Sequence, residues 1–159
     1  CHTRRQRQMC IRDRNRSEDI KQELRKLKLI VTERSSGHKP SENCDVYIVN
    51  TYGEMSKFLR LSNVTFIGGS LVNHGGQNPL EAVRMGNYVM HGKKVNNFKE
   101  IYKELKSLKI SSEIKNIDQM EKVFVKNHNY KISNSKLNKI NYLGAKIFEN
   151  NVKEIKNYL

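Results

Sequence analysis

Long apolar runs, glycine and cysteine are all scarce in this chain, and each scarcity narrows what it can be. No apolar stretch approaches the roughly 20 residues that a membrane-spanning helix needs, and the first residues show no apolar core of a secretion signal. The three cysteines, Cys1, Cys10 and Cys44, are odd in number and lack metal-ligand spacing, so Cys44 reads as a free thiol. Carboxylates are not clustered either, and His38, His91 and His128 show no partner spacing, so neither a metal nor a cofactor is expected. Neither a Walker A pattern nor the spacing of the dinucleotide fingerprint is present.

What the chain has in excess is positive charge, +14 over 159 residues. Residues 1–16 contribute +5 of it through six arginines and one aspartate. The remaining surplus is scattered lysine, which either favours an anionic partner or fills solvated faces. The opening CHTRRQRQMCIRDR is arginine-rich where the body is lysine-rich, and residues 1–14 read as a non-native or disordered leader. A basic arm for nucleic acid is the alternative, and with it a small basic nucleic-acid-binding protein. No nucleic-acid motif or aromatic-interleaved basic face supports that, and no nucleic-acid partner is expected.

From Ser17 onward the pattern is regular. Ile20, Leu24 and Leu27 lie at helical spacing behind Ser17, and Leu29-Ile30-Val31 reads as a short buried strand. Val46 to Val49 and Val64 to Ile67 are further strands, with a short helix carrying Met55, Phe58, Leu59 and Leu61 between them. A helix is expected from about Pro79 to Met85, then a strand at Tyr88-Val89-Met90 and an amphipathic helix carrying Phe98, Ile101, Tyr102, Leu105 and Leu108. A short strand around residues 112–117, a helix capped by Asp118, and a long helix over residues 136–158 with a break near Gly144 complete the reading. Short apolar strands alternating with helices give an α/β fold with a Rossmann-like parallel sheet flanked by helices. In such folds ligands sit beyond the carboxyl ends of the strands. Here the glycine-bearing turns follow Val49, Ile67 and Met90, which predicts a site from layout alone.

The densest signal is FIGGSLVNHGGQNPLEAVRMG, which places four of the chain's 9 glycines within nine residues ahead of a helix. Gly68, Gly69, Gly75 and Gly76 permit sharp turns or positive φ. Asn78 is a good N-cap and Pro79 a good first helical residue. A helix start behind glycines offers free N–H groups to an anion, so Gly69, Ser70, Gly75 and Gly76 are candidate phosphate-approach positions. Glu81, in the first turn, is either a helix-capping glutamate or an acceptor for sugar hydroxyls, and Glu54 in Tyr52-Gly53-Glu54 carries the same two readings. His74 reads as incidental.

In the order VYIVNTYGEM, VTFIGGSLVNHGGQNPLEAVRMG, YVMHGKKVNNFKEIYKEL, the chain resembles the C-terminal half of the 3-deoxy-D-manno-octulosonic acid (Kdo) transferases. The resemblance runs from about Asn15 to Leu159 and is strongest from Val46 to Leu105. It implies residues 15–159 as the CMP-Kdo-binding half of a two-domain GT-B glycosyltransferase, without its first strand and its N-terminal domain. It further implies an inverting transfer of Kdo from CMP-Kdo to a lipid A precursor in lipopolysaccharide biosynthesis, at an anionic surface on the cytoplasmic face of a bacterial inner membrane. Tyr52, Gly53 and Glu54 stand where the family has its Met-Gly-Glu turn, and Asn78, Pro79, Leu80 and Glu81 where it has Asn-Pro-Leu-Glu, so these residues are expected to bind CMP. The resemblance places the general base in the absent N-terminal domain, hence no catalytic residue is expected in this chain and the fragment alone is expected to be inactive. Asn50 stands where the family usually has Asp, Tyr52 replaces Met, and Gln77 often stands as His. The family's Pro-Arg-His segment has no counterpart. Another GT-B glycosyltransferase using a UDP-sugar is the competing enzyme reading.

Overall fold

The computed structural model describes residues 7–10 and 16–156. The chain divides into two compact units, residues 1–58 and 59–159, and each is built on its own three-stranded parallel sheet. The expected parallel α/β architecture is present, with its strands shared between two sheets. No helix of the described residues is long and apolar enough to cross a membrane.

In the first unit β3 (Val46–Val49) lies between β1 (Arg7–Cys10) and β2 (Val31–Glu33), parallel to both. All four residues of β3 are buried, as a strand flanked on both edges requires. β1 falls within the stretch read as a leader; the rest of that stretch lies outside the described residues. β2 begins at Val31 because Ile30 is engaged before the ladder opens: its N–H donates to Asp45 Oδ2 at 2.9 Å, and its carbonyl accepts from Asp45 and Val46. α1 (Ser17–Lys26) precedes β2, and Leu27, placed on its apolar stripe by the sequence, is exposed. A small core of Cys44, Tyr47 and Val49, with Phe58 against it, holds the unit together.

In the second unit β5 (Tyr88–His91) is the middle strand between β4 (Val64–Ile67) and β6 (Ser111–Glu113). Its alternating side chains enter different cores. Val89 packs with Leu80 and Val83 of α3 (Leu80–Arg84), Tyr102 and Leu105 of α4 (Lys99–Ser107), and Ile140 of α6 (Asn134–Lys156). Tyr88 and Met90 pack with Ile114, and Met120 and Val123 of α5 (Ile117–Asn127) lie against them. Helices thus cover both faces of β5, as a buried parallel strand demands.

Two helix details differ from the sequence reading. Asn116, not Asp118, caps α5, its Oδ1 accepting the Gln119 N–H at 2.9 Å. α6 runs unbroken through Gly144, and the Arg84 side chain lies against that glycine where a side chain would stand. The glycine marks a close approach of α3 to α6 rather than a kink. The reading of this helix beyond Lys156 lies outside the described residues.

Candidate functional site

In the first unit, the turn after β3 is fixed by side chains. Asn50 Oδ1 accepts the Ser35 N–H at 3.0 Å, and Asn50 Nδ2 donates to Ser17 Oγ at 3.1 Å. Ser17 Oγ donates to Glu33 Oε1 at 3.0 Å, and Lys21 Nζ reaches Glu33 Oε2 at 2.6 Å. That bond from Lys21 lowers the Glu33 pKa, against the opposing effect of burial, and the bond to Glu33 raises the Lys21 pKa in return. Beside this chain of bonds, Arg34 meets Glu54 twice at 3.0 Å, Nε to Oε2 and Nη2 to Oε1. Thr51 Oγ1 adds a bond to Oε2 at 2.6 Å, and Lys57 Nζ stands 3.5 Å from Oε1. The Arg34 bonds first, and the Thr51 bond second, push the Glu54 pKa down to about 2.

Of the expected CMP-binding residues in this turn, Glu54 is therefore committed to the protein, and Tyr52 is exposed. Gly53 adopts φ +74° with nothing within 4 Å of where a side chain would begin, so its backbone faces open space.

In the second unit, the glycine-rich loop 68–79 is stitched to the segment after β5. Ser70 is fully buried: its Oγ donates to the Ile67 carbonyl at 2.6 Å and accepts the Gly92 N–H at 2.8 Å. The Ser70 carbonyl accepts the Lys94 N–H at 2.7 Å. Ser70, an expected phosphate-approach position, thus also joins the two loops. Gly69 (φ +70°) accepts the Gly76 N–H through its carbonyl at 3.2 Å. Gly75 (φ +77°) presses against the Asn97 side chain, which a side chain here would displace, and Gly76 (φ +72°) fits tightly against Lys94 and Val95; positive φ strains a side chain at either. Only Gly68 among these four has open space beside it.

The start of α3 follows the sequence reading closely. Pro79 occupies the N-cap position and its carbonyl accepts the Val83 N–H at 3.1 Å, while Asn78, one residue further out, caps the first helical residue by accepting the Leu80 N–H on Oδ1 at 3.0 Å. The helix itself is five residues long, too short for a helix dipole to carry the anion argument. Leu80 is buried in the core. Glu81 stands three residues past Asn78, where a capping-box glutamate would return a bond to the Asn78 N–H. It makes no such bond: its carboxylate is exposed and has no hydrogen-bond or ion-pair partner among the described residues.

Behind the loop stands Tyr102, whose OH donates to the Gln77 carbonyl at 3.0 Å and whose ring lies 4.3 Å from that of His91. Burial raises the Tyr102 pKa and lowers that of His91, so both stay neutral near pH 7. The 2.8 Å contact from His91 Nδ1 to the Gly92 carbonyl places the ring proton on Nδ1. Among the described residues, no three His, Cys, Asp or Glu side chains are grouped to hold a metal ion.

No family model matches the chain. Over 82 residues it is 40% identical to the 3-deoxy-D-manno-octulosonic acid transferase of Haemophilus influenzae, covering 52% of this chain and 19% of that protein. Over 130 residues it is 31% identical to the protein of the same name from Rickettsia bellii, covering 82% of this chain and 26% of that one. The crystal structure of the C-terminal CMP-Kdo binding domain of WaaA from Acinetobacter baumannii matches with a TM-score of 0.68 and 27% identity, covering 72% of this chain and 60% of that chain.

The chain is similar to Kdo transferases over part of their length. The matches span 19% and 26% of those two curated relatives, and the solved neighbour is a C-terminal domain. The sequence motifs located the turn 51–54 and the helix start 78–81, but not what holds them. Arg34 carries no motif signal and was missed, while Asn50 was noted only as a departure within its motif and Tyr102 only as a helix residue, because each acts on residues that only folding brings near. The bonds by which Ser70 joins the two loops were not legible in the sequence.

Proposed function

We propose that this chain binds CMP-Kdo and forms the donor-binding part of an enzyme that transfers Kdo to a lipid A precursor. In that reaction the acceptor hydroxyl oxygen bonds to the anomeric carbon of Kdo. The bond from that carbon to the phosphate oxygen breaks, and CMP leaves with the electron pair. A base supplied elsewhere in the whole enzyme takes the hydroxyl proton, and the sugar configuration inverts. The residues of this chain hold the CMP leaving group. An inner membrane, at its cytoplasmic face, is where such an acceptor would be met.

The observation that carries the reading is the uncommitted Glu81 carboxylate at a helix start whose capping is done by Asn78. A carboxylate held in place by a rigid element and free of partners is suited to accept two vicinal hydroxyls of a ribose. Isothermal titration of the chain with CMP, UMP and UDP tests it. Binding of CMP in clear preference to the uridine nucleotides is expected; binding of UDP without CMP overturns the assignment.

A further inference from the structure

Building on the donor-binding reading, we propose that Arg34 is a positioning residue of the nucleotide site: it holds the turn 51–54 through Glu54, so that the turn reaches a nucleotide with its backbone already set. The first support is the count of bonds on Glu54. An ionised carboxylate offers about four lone-pair positions. Here Oε1 faces Arg34 Nη2 and Lys57 Nζ, while Oε2 faces Arg34 Nε and Thr51 Oγ1. Little acceptor capacity remains for a sugar hydroxyl. Glu54 therefore acts through the turn it closes, not by touching a ligand.

Arg34 is itself held from a second direction. It is the first residue after β2 and opens the short 3-10 turn Arg34–Ser36. The next residue, Ser35, donates its N–H to Asn50, the residue that leaves β3. The ends of β2 and β3 are thus cross-braced twice, once by Asn50 and once by the Arg34–Glu54 pair. A guanidinium suits the second brace because its planar fork matches a carboxylate at two points, which an ammonium cannot do. Between the two braces stands Gly53, in a left-handed conformation and open on the side where a side chain would project. A backbone pre-set in this way binds without first losing conformational freedom.

The asparagine is part of the device. It donates to Ser17 and accepts from Ser35 at once, which an aspartate could not do, since it accepts but does not donate.

The test is CMP affinity by calorimetry for the 159-residue chain and its variants, with folding checked by circular dichroism under the same conditions. Arg34→Ala is expected to bind about tenfold more weakly than wild type, on the scale of one lost charge-assisted bond. Arg34→Lys should recover only part of that loss. Arg34→Ala combined with Glu54→Gln should bind no worse than Arg34→Ala alone. A brace serving stability alone would leave the affinity of folded variants unchanged, and wild-type affinity in folded Arg34→Ala overturns the proposal. If Arg34→Ala does not fold, Arg34→Lys and Glu54→Gln take its place, and wild-type affinity in both overturns it equally. Absence of CMP binding by the wild-type chain is a different result: it removes the donor-binding reading and this proposal with it.

Discussion

The Gly92 N–H donates to Ser70 Oγ at 2.8 Å, and a side chain on Gly92 would overlap the Ser70 carbonyl. The two residues close the loops after β4 and β5 against each other, and neither has a substitute. Ser70→Ala would leave the Gly92 N–H buried without a partner, which costs about 1–3 kcal/mol. Gly92→Ala would force the 68–70 backbone aside, an overpacking cost of about 1–3 kcal/mol. Urea unfolding followed by circular dichroism checks both. Because the two changes act on one contact, the double variant should be less destabilised than the two single losses together. Strict additivity would show that the loops are held by something else.

Acid should weaken the first unit before neutral pH does anything to it. The Glu54 pKa lies near 2 in the folded chain against an ordinary 4.5, and that of Glu33 is lowered in the same direction. A depressed folded value means that the stabilisation is fully present above about pH 4.5 and is lost as the pH falls toward 2. The thermal midpoint should therefore drop across that window. Glu54→Gln should be less stable than wild type at pH 7, with the difference closing as pH 2 is approached. An equal difference at both ends of the range would remove Glu54 as a source of acid sensitivity.

The features that could be read from the sequence are those written in consecutive residues. The runs VYIV and YVMH are buried strands in the structure, and Asn78-Pro79 caps and opens a helix as its chemistry requires. The helix expected from about Pro79 to Met85 spans Leu80–Arg84, and beyond it Gly86 at φ +93° and the Asn87 side chain, bonded to the Leu59 carbonyl and to Thr65, lead the chain into β5. In each unit the bonds that fix the candidate residues join positions far apart in the chain: 34 with 54 in the first, and 70 with 92 and 77 with 102 in the second. Arg34 is one of 30 basic residues and has no local pattern to single it out, so only the fold could show its partner. The glycine pair 75–76 was legible as unusual, but its reason, contact with residues 94–97, was not.

Gly144 offers a prediction of opposite sign. Glycine inside a helix is about 0.5–1 kcal/mol less favourable than alanine. Here the space a methyl group would need is taken by the Arg84 guanidinium, the mobile end of an exposed side chain. Gly144→Ala should therefore be near neutral, as the helix gain offsets the displacement of Arg84. In an Arg84→Ala background the same change should stabilise by the full 0.5–1 kcal/mol, roughly the helix-propensity difference. Thermal melts of the four proteins in this cycle decide it. Destabilisation in the Arg84→Ala background would mean that the close approach of α3 and α6 involves backbone rather than that one side chain.

Glu81 is the sharpest case, because its local structure and its proposed role separate cleanly. Asn78 already caps the helix, and Glu81 returns no bond to the cap, so Glu81→Ala should leave the unfolding midpoint within about 0.5 kcal/mol of wild type, as for an ordinary surface change. Its loss should instead appear in CMP binding, by about 1.5–3 kcal/mol, the scale of hydrogen bonds to a charged group. Glu81→Gln keeps the shape but removes the charge, and should fall between the two. Deoxy-CMP, which lacks the 2′-hydroxyl, should bind the wild-type chain more weakly than CMP and bind Glu81→Ala with little such preference. Stability lost without any change in binding would return Glu81 to the role of a helix-capping residue. An unchanged preference for CMP over deoxy-CMP in Glu81→Ala would place the ribose against some other group.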